Sequence, residues 1–382
     1  MPTTTYDHLI AFGIIVVLFA VSVVAVPTIS YINLLNIDQQ QLRNVALEVL
    51  KTMLFDTGYP SNWGLTYNFN KDSVLRFGLA LSGDSAFYVL DSDKVQRLVT
   101  DNPSGSLDCE TVRTKLGLQG YGFIVKIVSP FNVTVRRDMS TGFNPLRFNV
   151  LVKFNDGRRI PNAHVEATMV YVVGSDKQNF FMTKAESQTS ERGECTIEKV
   201  LPAGVTGLIV VVKTTVADVA SASAHFVEGF KQNVAAASIV GDNITMWIPQ
   251  DAMLEGDNTR SERRVWDIIS VTEDSVANMY EGGNPTEDKI TYGEGYYMWS
   301  RVFPGLSYDD PQFLIFNLLV TLKDGGRQLV LFVGPNPNWL GSRLLGYGTI
   351  GAEPSAGRIK LARSVEISGM TYIFELLLWK ES

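Results

Sequence analysis

The chain has 382 residues, 45% of them hydrophobic and 19% charged, which is enough apolar material for packed cores and too much for a disordered chain. Its 40 Asp and Glu outnumber its 33 Lys and Arg, for a formal net charge of −7. An acidic chain with no Lys/Arg-rich run argues against a nucleic-acid partner and against a polybasic lipid-binding segment.

The first element is apolar. Leu9 to Val26 is an 18-residue run without a charge. As a helix it is about 27 Å long, near the hydrocarbon thickness of a bilayer. No Lys or Arg precedes it and no small-x-small site follows, so the expectation is a retained membrane helix and not a cleaved signal peptide. Leu35, Leu42, Ala46, Val49, Leu50 and Met53 then recur at three- and four-residue steps. One helix from Ile10 to Phe55 would be roughly 69 Å long. Pro27 would kink it at the membrane surface, and Asp56-Thr57-Gly58-Tyr59-Pro60 would end it. Residues 1–57 are thus expected to form a spanning helix and stalk. Two glycosylation acceptor triplets, Asn132-Val133-Thr134 and Asn243-Ile244-Thr245, favour an extracytoplasmic C-terminal part.

Residues 58–137 mix elements. Phe87–Leu90 reads as a strand, Ser92–Thr100 and Leu107–Leu116 as short helices, and Tyr121–Val128 as a strand. Residues 138–230 read as a β-sandwich. Short strands (147–154, 164–172, 195–199, 207–214, 222–226) are separated by turn signals such as Asn155-Asp156-Gly157, Arg192-Gly193 and Pro202-Ala203-Gly204. Residues 231–382 read as a β-rich domain with one helix over Ser261–Met279. Hairpins are expected at 314–333 and 359–379.

Two resemblances attach to these residues. Gly157 to Ala167, with Gly193-Glu194-Cys195-Thr196 and Leu201-Pro202-Ala203-Gly204, resembles the start and core of immunoglobulin-like and carboxypeptidase-regulatory-like modules. That implies a spacer or adhesion module. The chain around it resembles archaeal type IV pilin-like membrane proteins, through Tyr59–Gly64, Phe77–Ala80, Leu90-Asp91 with Lys94-Val95 and Leu98, Val112-Arg113 with Leu116-Gly117, and Arg363 to Trp379. Asp7 and Pro27 are similar to the acidic residue and kinking proline of pilin helices. The resemblance implies an α+β fold: a long membrane-spanning helix, a pilin-like α/β head completed by residues 231–382, and an inserted Ig-like β-sandwich. It also implies self-association, or docking to a pilus-type platform, through Asp7, Leu9, Phe12, Pro27, Leu35, Leu42 and Val49.

Catalytic constellations are sparse. The three histidines, His8, His164 and His225, show no metal-ligand spacing. Gly346 to Gly351 fits GxGxxG, but prolines surround it and no strand–helix context does. Acidic clusters at Asp251, Glu255 and Asp257 and at Asp309-Asp310 match no calcium loop. No catalytic, cofactor or metal site is expected. Tyr296, Trp299 and Trp339 are candidate contacts for a glycan or partner protein. Cys109 and Cys195, 86 positions apart, read first as two unpaired buried thiols, and could form one disulfide if the protein folds outside the cytoplasm.

The expected function is a structural or adhesive cell-surface protein of pilin-like architecture, such as a filament subunit or minor pilin. The alternative is a monomeric membrane-anchored receptor or ligand-binding ectodomain. A tethered hydrolase ranks below both.

Overall fold

The structure is a computed structural model that describes residues 12, 14–17, 38–65, 70–82, 87–99, 105–141, 144–174, 179–230, 236–240, 242–249, 264–272, 275–281, 290–292, 296–304, 313–319, 327–332, 345–349, 357–367 and 369–381. Helix α1 occupies 38–55. It buries Leu42, Ala46, Val49, Leu50, Met53 and Leu54 on one side, while Asp38, Arg43, Glu48 and Lys51 lie on the exposed side. That stripe is the signature of an amphipathic helix resting on a sheet. Strand β1 (Val89–Leu90), helices α2 (Ser92–Gln96) and α3 (Cys109–Lys115) and strand β2 (Tyr121–Val128) follow.

The chain then builds a β-sandwich from β3 (Phe131–Arg137), β4 (Leu146–Phe154), β5 (His164–Val173), β6 (Asn179–Gln188), β7 (Glu194–Lys199), β8 (Val205–Val216) and β9 (Val219–Glu228). One sheet has the order β3-β4-β7 and the other β6-β5-β8-β9. Between them lie Phe148, Val150, Val152, Val165, Ala167, Met169, Leu208, Val210 and Val212. The Arg192-Gly193 turn needs glycine, because φ is +68° there and a Cβ would stand 2.8 Å from the Val152 carbonyl oxygen. The central strands of the second sheet, β5 and β8, are buried on both faces. Val170, Val172, Ile209 and Val211 on its back belong to the same apolar cluster as α1.

A second sandwich follows. Its strands are β10 (Ala236–Val240), β11 (Asn243–Pro249), β12 (Arg264–Val271), β13 (Val276–Glu281), β14 (Thr291–Tyr292), β15 (Tyr296–Val302), β16 (Phe313–Leu319) and β17 (Arg327–Phe332). The sheets run β10-β11-β15-β14 and β13-β12-β16-β17, packed through Ile244, Met246, Ile248, Val265, Ile268, Trp299, Leu314 and Phe316. Here too the inner sheet has an apolar back, Ile269, Val271, Ile315 and Leu329, within the α1 cluster.

The last strands, β18 (Leu345–Gly348), β19 (Arg358–Ile367) and β20 (Met370–Lys380), return to the first element. They join β1 and β2 in the order β1-β19-β20-β2-β18. Phe123, Val125 and Ile127 of β2 share the α1 cluster with Tyr372, Phe374, Leu376 and Leu378 of β20. A Lys380–Asp38 ion pair of 2.9 Å joins the end of β20 to α1.

Several expectations are corrected. The fold is predominantly β, and the α+β pilin architecture does not hold. Among the described residues no helix is long and apolar enough to cross a membrane. This overturns the pilin resemblance and the single-pass localisation as read from the sequence. The stalk expected to continue that span is corrected in α1: its 3.6-residue stripe is buried against the chain's own sheet. Of the apolar run, helical residues 12 and 14–17 are described and exposed. Asp7, Leu9, Pro27 and Leu35 lie outside the described residues. The helix expected over Ser261–Met279 is instead β12 and β13, paired antiparallel. Strand β12 is covered on both faces, so Val265, Ile268, Ile269 and Val271 show no two-residue alternation.

Candidate functional site

The outer face of the β3-β4-β7 sheet forms an open groove of about 540 Å3, lined among others by Thr134, Arg136, Asn149, Leu151, Lys153 and Thr196. Strand alternation places these side chains outward while Val133, Val150, Val152 and Ile197 fill the core. The register sets the rows: Asn132 opposite Lys153, Thr134 opposite Leu151, and Arg136 opposite Asn149. Asn149 in turn faces Thr196 and Leu151 faces Glu194. The Thr196 hydroxyl donates to Asn149 Oδ1 at 3.2 Å, which orients the amide so that its nitrogen points away from the hydroxyl. Arg147 is paired with Glu198 at 2.7 Å, and Arg159 with Glu194 at 2.7 Å. Arg136 and Lys153 carry no ion pair among the described residues. The groove is therefore a hydroxyl- and amide-lined surface with two uncompensated positive charges, on an acidic chain.

A second polar constellation is internal. Asp91 caps α2, accepting from the backbone of Asp93 at 2.9 Å and of Lys94 at 3.3 Å. Lys94 is fully buried, 3.2 Å from Asp91 Oδ2, and donates to the Ala80 carbonyl at 2.7 Å. Burial lowers the Lys94 pKa, and Asp91 opposes that shift. Arg97 donates to the Gly64 carbonyl at 3.1 and 3.0 Å and to the Gly105 carbonyl at 3.1 Å. Trp63 Nε1 donates to the Gly78 carbonyl at 3.0 Å. The residues between Tyr59 and Leu98 that carried the pilin resemblance thus fasten the turn after α1 to α2. Trp63, Asp91, Lys94 and Arg97 are buried, and closed off from solvent they fit a structural role.

Other singled-out residues are dispersed. Leu42 and Val49 pack inside the chain and not outward as assembly contacts, while Phe12 is helical and 65% exposed. Trp299 lies in the second sandwich core beside Phe303 and Phe316, and is not open to a ligand. Tyr296 belongs to β15, and Trp339 lies outside the described residues. Asn132 is exposed on β3. Asn243 is 7% exposed, and its amide donates to Thr245 at 2.8 Å and Ser300 at 3.1 Å.

Cys109 and Cys195 are both free. Burial raises both thiol pKa values, so neither is a ready nucleophile at neutral pH. His164 on β5 is exposed, 3.8 Å from Glu186, His225 belongs to β9, and His8 lies outside the described residues. Gly346 and Gly348 belong to β18, which pairs with β2. Asp251, Glu255, Asp257, Asp309 and Asp310 lie outside the described residues. No group of three or more His, Cys, Asp or Glu among the described residues could hold a metal ion.

The sequence reading missed Arg136, Asn149 and Lys153. Their signal is parity: the polar positions of 131–137 and 146–154 alternate with apolar ones. Which strands lie side by side, and hence that these polar positions form one face, is set by pairing that the sequence does not show.

No family model matches the chain, and no curated protein does. Among solved structures it is similar to trypsin-activated alpha-2-macroglobulin from Escherichia coli, with 10% identity, a TM-score of 0.21, and coverage of 62% of this chain and 19% of that one. The chain thus spans about a fifth of that protein's length, and a likeness this slight carries no argument.

Proposed function

We propose that this chain is a non-catalytic structural or adhesive protein, in which consecutive β modules hold a recognition face on a stiff support. The observation that carries the reading is the burial, on both faces, of the central strands of both inner sandwich sheets. Val170, Val172, Ile209 and Val211 of one, and Ile269, Val271, Ile315 and Leu329 of the other, belong to a single apolar cluster with α1 and β20. Sheets fixed in this way resist relative motion, since interiors are close-packed and deform little. The outer β3-β4-β7 face stays open and polar, as a surface that meets a partner would.

The test is binding with recovery. Purified chain is titrated with immobilised oligosaccharide and peptide panels, and each retained ligand is eluted and weighed by mass spectrometry. The expected result is saturable retention of a ligand recovered chemically unchanged. A ligand recovered cleaved or modified overturns the non-catalytic reading.

A further inference from the structure

The geometry points to the β3-β4-β7 groove as a binding site for a linear acidic polysaccharide, lying along the strands and contacting Arg136 and Lys153. This rests on the adhesive reading above and assigns its ligand class. Three features carry it.

The first is charge. The other two cations of the face, Arg147 and Arg159, are paired with Glu198 and Glu194. Arg136 and Lys153 therefore project net positive charge from a chain of net charge −7. Such a local reversal attracts an anion that the rest of the surface repels.

The second is spacing. Lys153 faces Asn132 while Asn149 faces Arg136. The two cations are thus four residues apart along the strands, about 13 Å at strand rise. One small anion cannot reach both, whereas a chain with repeated carboxylates or sulfates can.

The third is the chemistry between the charges. Thr134, Asn149, Thr196 and Asn132 supply short hydroxyl and amide groups that exchange hydrogen bonds with sugar hydroxyls. β3 and β7 are the edges of this three-stranded sheet. An acidic peptide docks best by adding a strand at such an edge, beside the outward side chains and not across them, so Arg136 and Lys153 together are not what it would use.

The experiment is calorimetric titration of the full chain with a decameric oligogalacturonate, with neutral dextran oligomers and poly-L-glutamate as comparison ligands. Wild type is expected to bind oligogalacturonate saturably, more weakly as salt rises, and to bind neither comparison ligand at similar affinity. R136A/K153A is expected to weaken binding by about tenfold or more, the ratio set by losing charge-assisted hydrogen bonds. R43A/K115A removes the same charge elsewhere and is expected to bind as wild type. Circular dichroism confirms that both variants are folded. The assignment is overturned if wild type does not bind the acidic sugar, if the two double variants weaken equally, or if poly-L-glutamate binds as tightly. Cleavage of the oligogalacturonate would instead overturn the non-catalytic reading and leave the site assignment standing.

Discussion

Asp91 and Lys94 are a buried pair whose two halves are not equivalent. Lys94 has both Asp91 and the Ala80 carbonyl, and Asp91 also caps α2. D91A removes the cap and strands a buried ammonium, so it should cost about 3–5 kcal/mol, the range for breaking a buried pair from one side. K94M keeps the cap and much of the volume, and D91A/K94M should recover part of the D91A loss. Urea unfolding followed by tryptophan fluorescence measures all three, and equal losses in D91A and the double variant would contradict this account. Asp108 behaves differently because it is exposed. It caps α3 through Thr111 at 2.8 Å and meets Lys71 at 2.8 Å, and the Lys71 hydrogen bond is foremost in lowering its pKa from 3.8 to about 2. A carboxylate with a depressed folded value stabilises above its unfolded pKa, and that contribution is lost as pH falls through the folded value. K71M should therefore be less stable than wild type at pH 6, with the gap closing as pH falls towards 2. Urea midpoints across that range check the sign.

Strand β8 shows how an element serves two cores. Leu208 faces the sandwich interior and Ile209 the cluster shared with α1, and both are fully buried. L208A and I209A should each cost about 2–5 kcal/mol, the range for large-to-small changes in a packed core. A strand with a solvated back would instead tolerate the second change. Asn243, the first residue of β11, tests an element's end in the same way. Its amide ties Thr245 of its own strand to Ser300 of β15, so N243A should cost about 1–3 kcal/mol of stability for stranded polar partners, read as a lowered melting temperature. N132A, on an exposed position, should leave it unchanged.

At the scale of the whole molecule the modules share their walls. A fragment holding only 131–228 would expose Val170, Val172, Ile209 and Val211 on one sheet face, an apolar patch of the kind that drives association. It should self-associate in size-exclusion chromatography, and substituting Ile209 and Val211 by Ser or Thr should shift it towards monomer. A wild-type fragment that is monomeric at high concentration would show that the shared cluster is dispensable, and would weaken the stiff-support reading.

The sequence by itself determined the local elements whose periodicity is unambiguous. The closing hairpin reads as β19 and β20 because its turn signals and apolar run lie within one stretch of chain, and α2 and α3 read from their caps and short amphipathic runs. Tertiary structure alone decided what each apolar pattern faces. The stripe on α1 meets the chain's own sheet, although its period would equally suit a membrane or a neighbour. Strand β12 reads as a helix because burial on both faces erases alternation. The groove is complete only because β7, distant in sequence from the neighbouring β3 and β4, comes to lie beside β4, and adjacency across a sheet is a property of pairing, which no local pattern encodes.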